Sequence, residues 1–161
     1  AGATTIIAVD IDSRKLEWAK QFGATHTVNP KEGDPVAAIK AITNGNGVNY
    51  SFEAVGSART LEQALWSRDL GGTCVFIGVP GPGPTLELPL QKFFDTGGSL
   101  RVSWYGDCLP TRDFPMLANW YERGLLNLDG VVTRLIKLDE VEEAFEAMKR
   151  GETLRSVIVM D

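Results

Sequence analysis

The stretch Thr4-Thr5-Ile6-Ile7-Ala8-Val9-Asp10 decides the fold class of this 161-residue chain. It is a short β-branched run, apolar on both faces and ended by an acid, which is typical of a buried strand in a parallel sheet. Asp12 or Ser13 can cap a following helix, and Gly23 is placed to end that helix in the left-handed conformation. The first segment is therefore predicted to be a strand, an acid and a helix.

The same strand-then-helix pattern recurs along the chain. Further strands are predicted at residues 25–28, 48–54, 73–79 and 100–105, and in the second of these Val48, Tyr50, Phe52 and Ala54 alternate with other residues. Asp34-Pro35 and Ser57 provide caps for the two intervening helices, and Pro80-Gly81-Pro82-Gly83-Pro84 is a loop that no regular element can cross. Because right-handed crossovers leave few other arrangements, this order predicts an α/β fold with a doubly wound parallel sheet of the Rossmann type.

The pattern changes after Tyr105. A helix that stops at Gly124, a strand, a second helix and a last strand follow, and Asp139 with Glu142 forms a capping-box-like pair before the second helix. We therefore divide the chain into a first domain at residues 1–104 and a C-terminal α/β segment at residues 105–161.

Composition excludes several classes of protein. A content of 43% hydrophobic and 23% charged residues is that of an ordinary globular protein, and no apolar run of about eighteen residues exists to span a membrane. A net charge of −5 without a basic stripe argues against nucleic-acid binding. Cys74 and Cys108 lack the spacing of a disulfide framework or zinc site, and the start of the chain lacks a secretory signal, so we expect a cytoplasmic protein.

Asp10 is the sharpest functional signal. An acid at the carboxyl end of the second strand of a dinucleotide-binding fold accepts hydrogen bonds from the adenosine ribose and disfavours a 2′-phosphate, which predicts NAD rather than NADP. The alternative is a plain helix-capping aspartate, since Asp12 and Ser13 lie in the same turn. The glycine-rich phosphate loop should lie about twenty residues earlier, but only nine residues precede Asp10. We therefore expect the first strand, the phosphate loop and the first helix to be missing from this chain.

Three further segments close strands at the carboxyl edge, where open α/β sheets bind ligands. They are Val55-Gly56, Ile77-Gly78-Val79 and Ser103-Trp104-Tyr105. The alternative for each is a simple strand-to-loop turn. We assign no role to His26, and Glu53 and Asp107 are isolated carboxylates without a visible partner.

The sequence resembles the zinc-dependent medium-chain alcohol dehydrogenases over essentially its whole length. The resemblance is carried in order by Ile6-Ile7-Ala8-Val9-Asp10-Ile11, Phe22-Gly23-Ala24, Ser51-Phe52-Glu53-Ala54-Val55-Gly56, Gly78-Val79-Pro80 and Arg150-Gly151-Glu152-Thr153-Leu154-Arg155-Ser156. Within that family, Ser103-Trp104-Tyr105-Gly106-Asp107-Cys108-Leu109-Pro110 resembles the mycothiol-dependent formaldehyde dehydrogenase branch.

The resemblance implies an enzyme that oxidises an alcohol or a thiol-formaldehyde adduct by hydride transfer to NAD, with a zinc ion polarising the substrate oxygen. It implies that Asp10 and Lys15 hold the adenosine ribose, and that Arg155 reaches the pyrophosphate. Val55-Gly56 would lie on the adenine side of the cofactor. Ile77-Gly78-Val79 and Ser103-Trp104-Tyr105 would orient the nicotinamide carboxamide. The segment at 105–161 would pack on the catalytic domain.

The chain also departs from the family pattern. The family's zinc ligands and proton relay precede the phosphate loop, so this chain has no metal ligands and is not expected to be active alone. A missing first strand would leave two apolar strands without ladder partners, which favours a homo-oligomer formed through a sheet edge. Two alternatives stay open: a non-catalytic nucleotide-binding fragment, and a zinc-free quinone reductase-like relative that uses NADPH, against which Asp10 argues.

Overall fold

Strands and helices alternate along the chain in a computed structural model that describes residues 2–160. The strands are β1 (Ile7–Val9), β2 (His26–Val28), β3 (Val48–Glu53), β4 (Arg68–Phe76), β5 (Ser99–Val102), β6 (Val132–Ile136) and β7 (Arg155–Ile158). The helices are α1 (Ser13–Gln21), α2 (Pro35–Ile42), α3 (Ala58–Trp66), α4 (Leu90–Thr96), α5 (Pro110–Glu122) and α6 (Val141–Lys149). The contacts divide the chain between Asp107 and Cys108 into two compact units.

All strand pairs within residues 2–160 are parallel. In the first unit β1 pairs with β2, and β4 lies between β3 and β5. In the described part of the chain one edge of β1 and one edge of β3 therefore have no ladder partner. The strand order of a dinucleotide-binding fold places its first strand between these two edges, so the arrangement agrees with the predicted Rossmann-type sheet that lacks its first strand.

The predicted caps of α1, α2 and α3 are confirmed. The Asp12 carboxylate accepts a hydrogen bond from the backbone N–H of Arg14 at the start of α1, and Gly23 follows that helix with φ of 99°. Asp34 caps α2 with Pro35 in the first turn, and the Ser57 hydroxyl accepts from the N–H of Thr60 in α3. Local side-chain chemistry thus fixes where each of these helices begins.

The core of the first unit lies between α3 and β4. Leu61, Leu65, Trp66 and Cys74 form its buried cluster, and Leu65 and Cys74 are completely inaccessible to solvent. The ammonium group of Lys92 lies 3.9 Å from the centroid of the Trp66 ring, so α4 contributes a cation–π contact at the margin of this core.

Strands β4 and β5 and helix α4 differ from what the sequence predicts: β4 ends at Phe76 rather than at residue 79, and β5 ends at Val102 rather than at residue 105. The fourth strand begins at Arg68 rather than at residue 73, because a bulge accommodates the extra residues between the pairs Val48 with Arg68 and Tyr50 with Thr73. The buried Arg68 guanidinium holds this bulge by donating from Nε to the carbonyl of Leu65 (2.8 Å) and from Nη1 to that of Gly72. Helix α4 was not predicted, since it is short and its N-cap, Pro89, offers no side-chain acceptor.

Strand β3 is present as predicted, but its apolar face is not the buried one. Ser51 and Glu53 are buried under α3, whereas Tyr50 and Phe52 are 65% and 64% exposed. Alternation along a strand defines two faces without specifying which face the next helix covers. Here α3 packs on the face that carries the polar residues.

The second unit contains α5, β6, α6 and β7, with β6 paired to β7. The predicted capping pair before α6, Asp139 with Glu142, is wrong: the Glu140 carboxylate accepts a hydrogen bond from the N–H of Lys137 at 2.7 Å instead. No helix within residues 2–160 combines the length and the apolar character that crossing a membrane requires.

Candidate functional site

Three of the predicted site segments lie at one edge of the first unit's three-stranded sheet. Strands β3, β4 and β5 run parallel and adjacent, so the segments that follow them emerge at the same edge. They are Val55-Gly56, Ile77-Gly78-Val79 and Ser103-Trp104-Tyr105. The N–H of Ser103 donates to the carbonyl of Phe76 at 2.9 Å, which extends the contact between β4 and β5 to the start of the last segment.

The first two of these segments are in direct backbone contact. Gly56 has a φ of 85°, a left-handed conformation that favours glycine, and a Cβ atom built on it would overlap the carbonyl oxygen of Val79. A Cβ atom built on Gly78 would overlap the amide nitrogen of Gly56. Glycine is thus required at both positions for the two chain segments to approach each other.

Glu53, the last residue of β3, connects these segments and was wrongly interpreted from sequence as an isolated carboxylate. Its carboxylate accepts hydrogen bonds from the N–H groups of Val55 (2.8 Å) and Gly56 (2.9 Å) and from the Thr60 hydroxyl (2.6 Å). Backbone donors carry no sequence signature. The one available signal was an acid placed where a strand gives way to a helix N-terminus.

The side chains presented at this edge are large, apolar and exposed. Val55 and Val79 are 73% and 80% exposed, and Trp104 and Tyr105 are 68% and 83% exposed. The Trp104 and Tyr105 rings meet edge to face, with centroids 5.0 Å apart and an interplanar angle of 89°. Exposed apolar groups gathered at one edge of a sheet are typical of a surface that binds a ligand or a partner.

Asp10 lies at the carboxyl end of β1. Its N–H donates to the carbonyl of Val28 in β2 at 3.3 Å, and its Oδ1 accepts from the N–H of Asp12 at 2.9 Å. Asp12, and not Asp10, is the N-cap of α1. The Arg14 guanidinium, 2.7 Å from Asp12, lowers the pKa of the Asp12 carboxyl to about 2, so Asp12 is ionised at neutral pH. Lys15 is exposed in the first turn of the same helix.

Arg155 belongs to the second unit, where it is the exposed first residue of β7 and its carbonyl accepts from the Thr133 hydroxyl at 3.4 Å. His26 is exposed, and its Nδ1 lies 2.9 Å from the Thr25 hydroxyl. Both cysteines are free thiols, Cys74 buried and Cys108 half-buried, as their sequence spacing predicted. No group of three or more His, Cys, Asp or Glu side chains in residues 2–160 is arranged to hold a metal ion.

Comparison with known proteins identifies the family. The sequence profile of a family described as zinc-binding dehydrogenase matches residues 1–123. This chain belongs to the zinc-binding dehydrogenase family. Among curated members it is 35% identical over 168 residues to an alcohol dehydrogenase class-3 from Cereibacter sphaeroides, with 99% of this chain aligned to 44% of that protein. It is 35% identical over 161 residues to an S-(hydroxymethyl)glutathione dehydrogenase from Haemophilus influenzae, with 98% of this chain aligned to 42% of that protein.

The fold of this zinc-binding dehydrogenase chain is also that of solved relatives. It superposes on the crystal structure of a benzyl alcohol dehydrogenase from Acinetobacter calcoaceticus with a TM-score of 0.94 and 36% identity, covering 99% of this chain and 44% of that one. The chain thus spans less than half the length of these relatives. It is an α/β chain with parallel sheets that matches the NAD-binding, Rossmann-like domain of alcohol dehydrogenases.

Proposed function

We propose that this chain is the NAD-binding portion of a zinc-dependent alcohol or formaldehyde dehydrogenase. The observation that carries the proposal is the carboxyl edge of β3, β4 and β5, where three segments present exposed apolar side chains beside one another. Open parallel sheets bind dinucleotides at this edge. The family to which the chain belongs supplies the class of reaction.

The residues present fit a dinucleotide. Asp10 offers a carboxylate at the carboxyl end of β1 for the ribose hydroxyls, and Lys15 offers an ammonium group in the first turn of the helix that follows. Because Asp12 is the N-cap of α1, Asp10 is not needed as the cap. From the family resemblance alone, we assign Arg155, in the second unit, to the pyrophosphate.

The exposed rings and methyl groups at the sheet edge suit the two flat ends of the cofactor. Val55-Gly56 is assigned to the adenine side. Ile77-Gly78-Val79 and Ser103-Trp104-Tyr105 are assigned to the nicotinamide side, where backbone groups hold the carboxamide. NAD is preferred over NADP because a 2′-phosphate would meet the negative charge of Asp10.

When bound, the nicotinamide accepts a hydride and a zinc ion polarises the substrate oxygen. The zinc ligands belong to a catalytic domain outside this chain. We assign residues 1–104 to the cofactor-binding domain and residues 105–161 to a segment that packs on the catalytic domain. The exposed apolar residues of α5, such as Phe114 and Trp120, suit that role. We further propose a cytoplasmic homo-oligomer joined through a sheet edge.

For the substrate we propose a thiol-formaldehyde adduct. The relative from Haemophilus influenzae is by name an S-(hydroxymethyl)glutathione dehydrogenase, and the segment from Ser103 to Pro110 resembles the mycothiol-dependent branch. The complete dehydrogenase should therefore reduce NAD faster with formaldehyde plus mycothiol or glutathione than with a simple alcohol, as followed by NADH absorbance. Equal rates with a simple alcohol and with both thiols would contradict this choice of substrate.

Calorimetric titration with NAD tests the cofactor assignment. The complete dehydrogenase should bind NAD, and the 161-residue chain alone should bind it far more weakly because backbone N–H groups of the phosphate loop supply much of the affinity for the pyrophosphate. Micromolar binding by the chain alone would contradict this expectation. A complete protein that does not bind NAD would identify a non-catalytic fragment or scaffold instead.

A further inference from the structure

Glu53 is a buried carboxylate to which the proposed cofactor contacts assign no role. Only 2% of the residue is exposed, and an ionised group in such a place is tolerated only if it is fully hydrogen-bonded. Glu53 meets that condition through the N–H groups of Val55 and Gly56 and the hydroxyl of Thr60. Its position ahead of the N-terminus of α3 adds a favourable interaction with the helix dipole.

The backbone of Glu53 joins a second segment to the first. Its carbonyl oxygen accepts hydrogen bonds from the N–H groups of Ile77 (2.8 Å) and Gly78 (3.0 Å). A Cβ atom built on Gly78 would also lie 2.8 Å from Oε2 of Glu53, which shows how closely this segment passes the carboxylate. One residue therefore holds both Val55-Gly56 and Gly78-Val79, the two segments in backbone contact at the sheet edge.

The two segments that Glu53 holds end in the exposed side chains of Val55 and Val79. We infer that Glu53 is a positioning residue for the dinucleotide: its ionised carboxylate fixes the Val55-Gly56 turn against Gly78-Val79, so that one rigid wall faces the cofactor. Glu53 does not touch the cofactor in this account. It acts through backbone amides that it keeps in place before the ligand arrives, which reduces the ordering that binding requires. The inference rests on the function proposed above.

The replacement Glu53→Gln tests this role with little change in shape. The amide keeps one acceptor oxygen but turns its NH₂ group toward donors that need an acceptor. We expect the complete dehydrogenase carrying Glu53→Gln to bind NADH about tenfold more weakly or worse, the loss that corresponds to one charge-assisted hydrogen bond. The KM for NAD should rise in parallel while the KM for the alcohol substrate stays unchanged.

Arg68→Met is the matched control. Arg68 is also 2% exposed, but it begins β4 at the amino-terminal edge, opposite the proposed site. The Arg68→Met variant should have a lower melting temperature, as substitutions of buried residues do, but its Kd for NADH should equal that of the wild type. Hydrogen exchange adds a local readout, since Glu53→Gln should accelerate exchange of the Val55 and Gly56 amides and Arg68→Met should not.

Thr60→Val provides a second test if Glu53→Gln does not fold. It removes the 2.6 Å donor to the carboxylate and leaves the glutamate with its two backbone donors in place, so the Kd for NADH should rise less than in Glu53→Gln, by about threefold. A folded Glu53→Gln enzyme, or a Thr60→Val enzyme, with the wild-type Kd and KM for the cofactor would overturn the inference alone. A wild-type enzyme that fails to bind NADH would overturn the proposed function and the inference together.

Discussion

The contact between the Gly56 and Gly78-Val79 segments predicts a large difference between two glycine-to-alanine replacements. Gly56 and Gly45 both have left-handed backbones, with φ of 85° and 90°. A Cβ atom on Gly56 would overlap the Val79 backbone, whereas one on Gly45 would have no atom within 4 Å. The left-handed conformation alone costs an alanine about 1–2 kcal/mol, and forced overpacking adds about 1–3 kcal/mol. Gly56→Ala should therefore destabilise the protein by about 2–5 kcal/mol in total.

Thermal unfolding followed by circular dichroism measures the difference directly. An extra 1–3 kcal/mol corresponds to a Tm about 2–12 °C lower for Gly56→Ala than for Gly45→Ala. Gly45→Ala serves as the control because it shares the backbone conformation but not the contact. If the two variants melted at the same temperature, the two segments would not be in contact at the sheet edge.

Three other predictions concern the core, the first helix and the thiols. Leu65→Ala removes a fully buried side chain and should lower the free energy of unfolding by about 3–5 kcal/mol in a urea titration; a loss below 1 kcal/mol would contradict the described core. Because the pKa of Asp12 is lowered from 3.8 to about 2, its contribution to stability is complete above the unfolded-state value and is lost as the pH falls toward 2. The Tm difference between wild type and Asp12→Asn should therefore shrink over that range, and a constant difference would argue against the Arg14 pair. Burial raises the pKa of both thiols, but Cys74 is completely buried and Cys108 only half-buried, so a thiol reagent should modify Cys108 in the native protein and Cys74 only after unfolding, which counting modified thiols checks.

The caps of the first three helices depend on local chemistry and could be predicted from the sequence. A side-chain oxygen at Asp12, Asp34 or Ser57 caps a helix by accepting from backbone N–H groups two or three residues away. The capping residue and the start of the helix therefore lie within the same short stretch of sequence. The parallel order of the strands followed from the repeated strand-then-helix pattern in the same way.

Features set by contacts between distant segments could not be predicted. The carbonyl oxygen of Glu53 accepts hydrogen bonds from the amides of Ile77 and Gly78, and its carboxylate accepts one from a hydroxyl seven residues away. None of these donors can be identified as a partner from the residue type alone. The sequence also did not predict that Ser51 is buried and Phe52 exposed. The face of β3 that α3 covers depends on packing and not on the alternation of residue types.

The central claim is that Asp10 recognises the ribose of NAD at the carboxyl edge of the parallel sheet, and cofactor preference tests it most directly. The measurement is the ratio of NAD to NADP affinity in the complete dehydrogenase, for the wild type, for Asp10→Ala and for Asp34→Ala, a control that removes a capping aspartate on another helix. We expect Asp10→Ala to weaken NAD binding about 10- to 100-fold, the loss of hydrogen bonds to a charged acceptor, while NADP binding is unchanged or improved and Asp34→Ala leaves the ratio unaltered. An Asp10→Ala enzyme with the wild-type ratio would contradict the account.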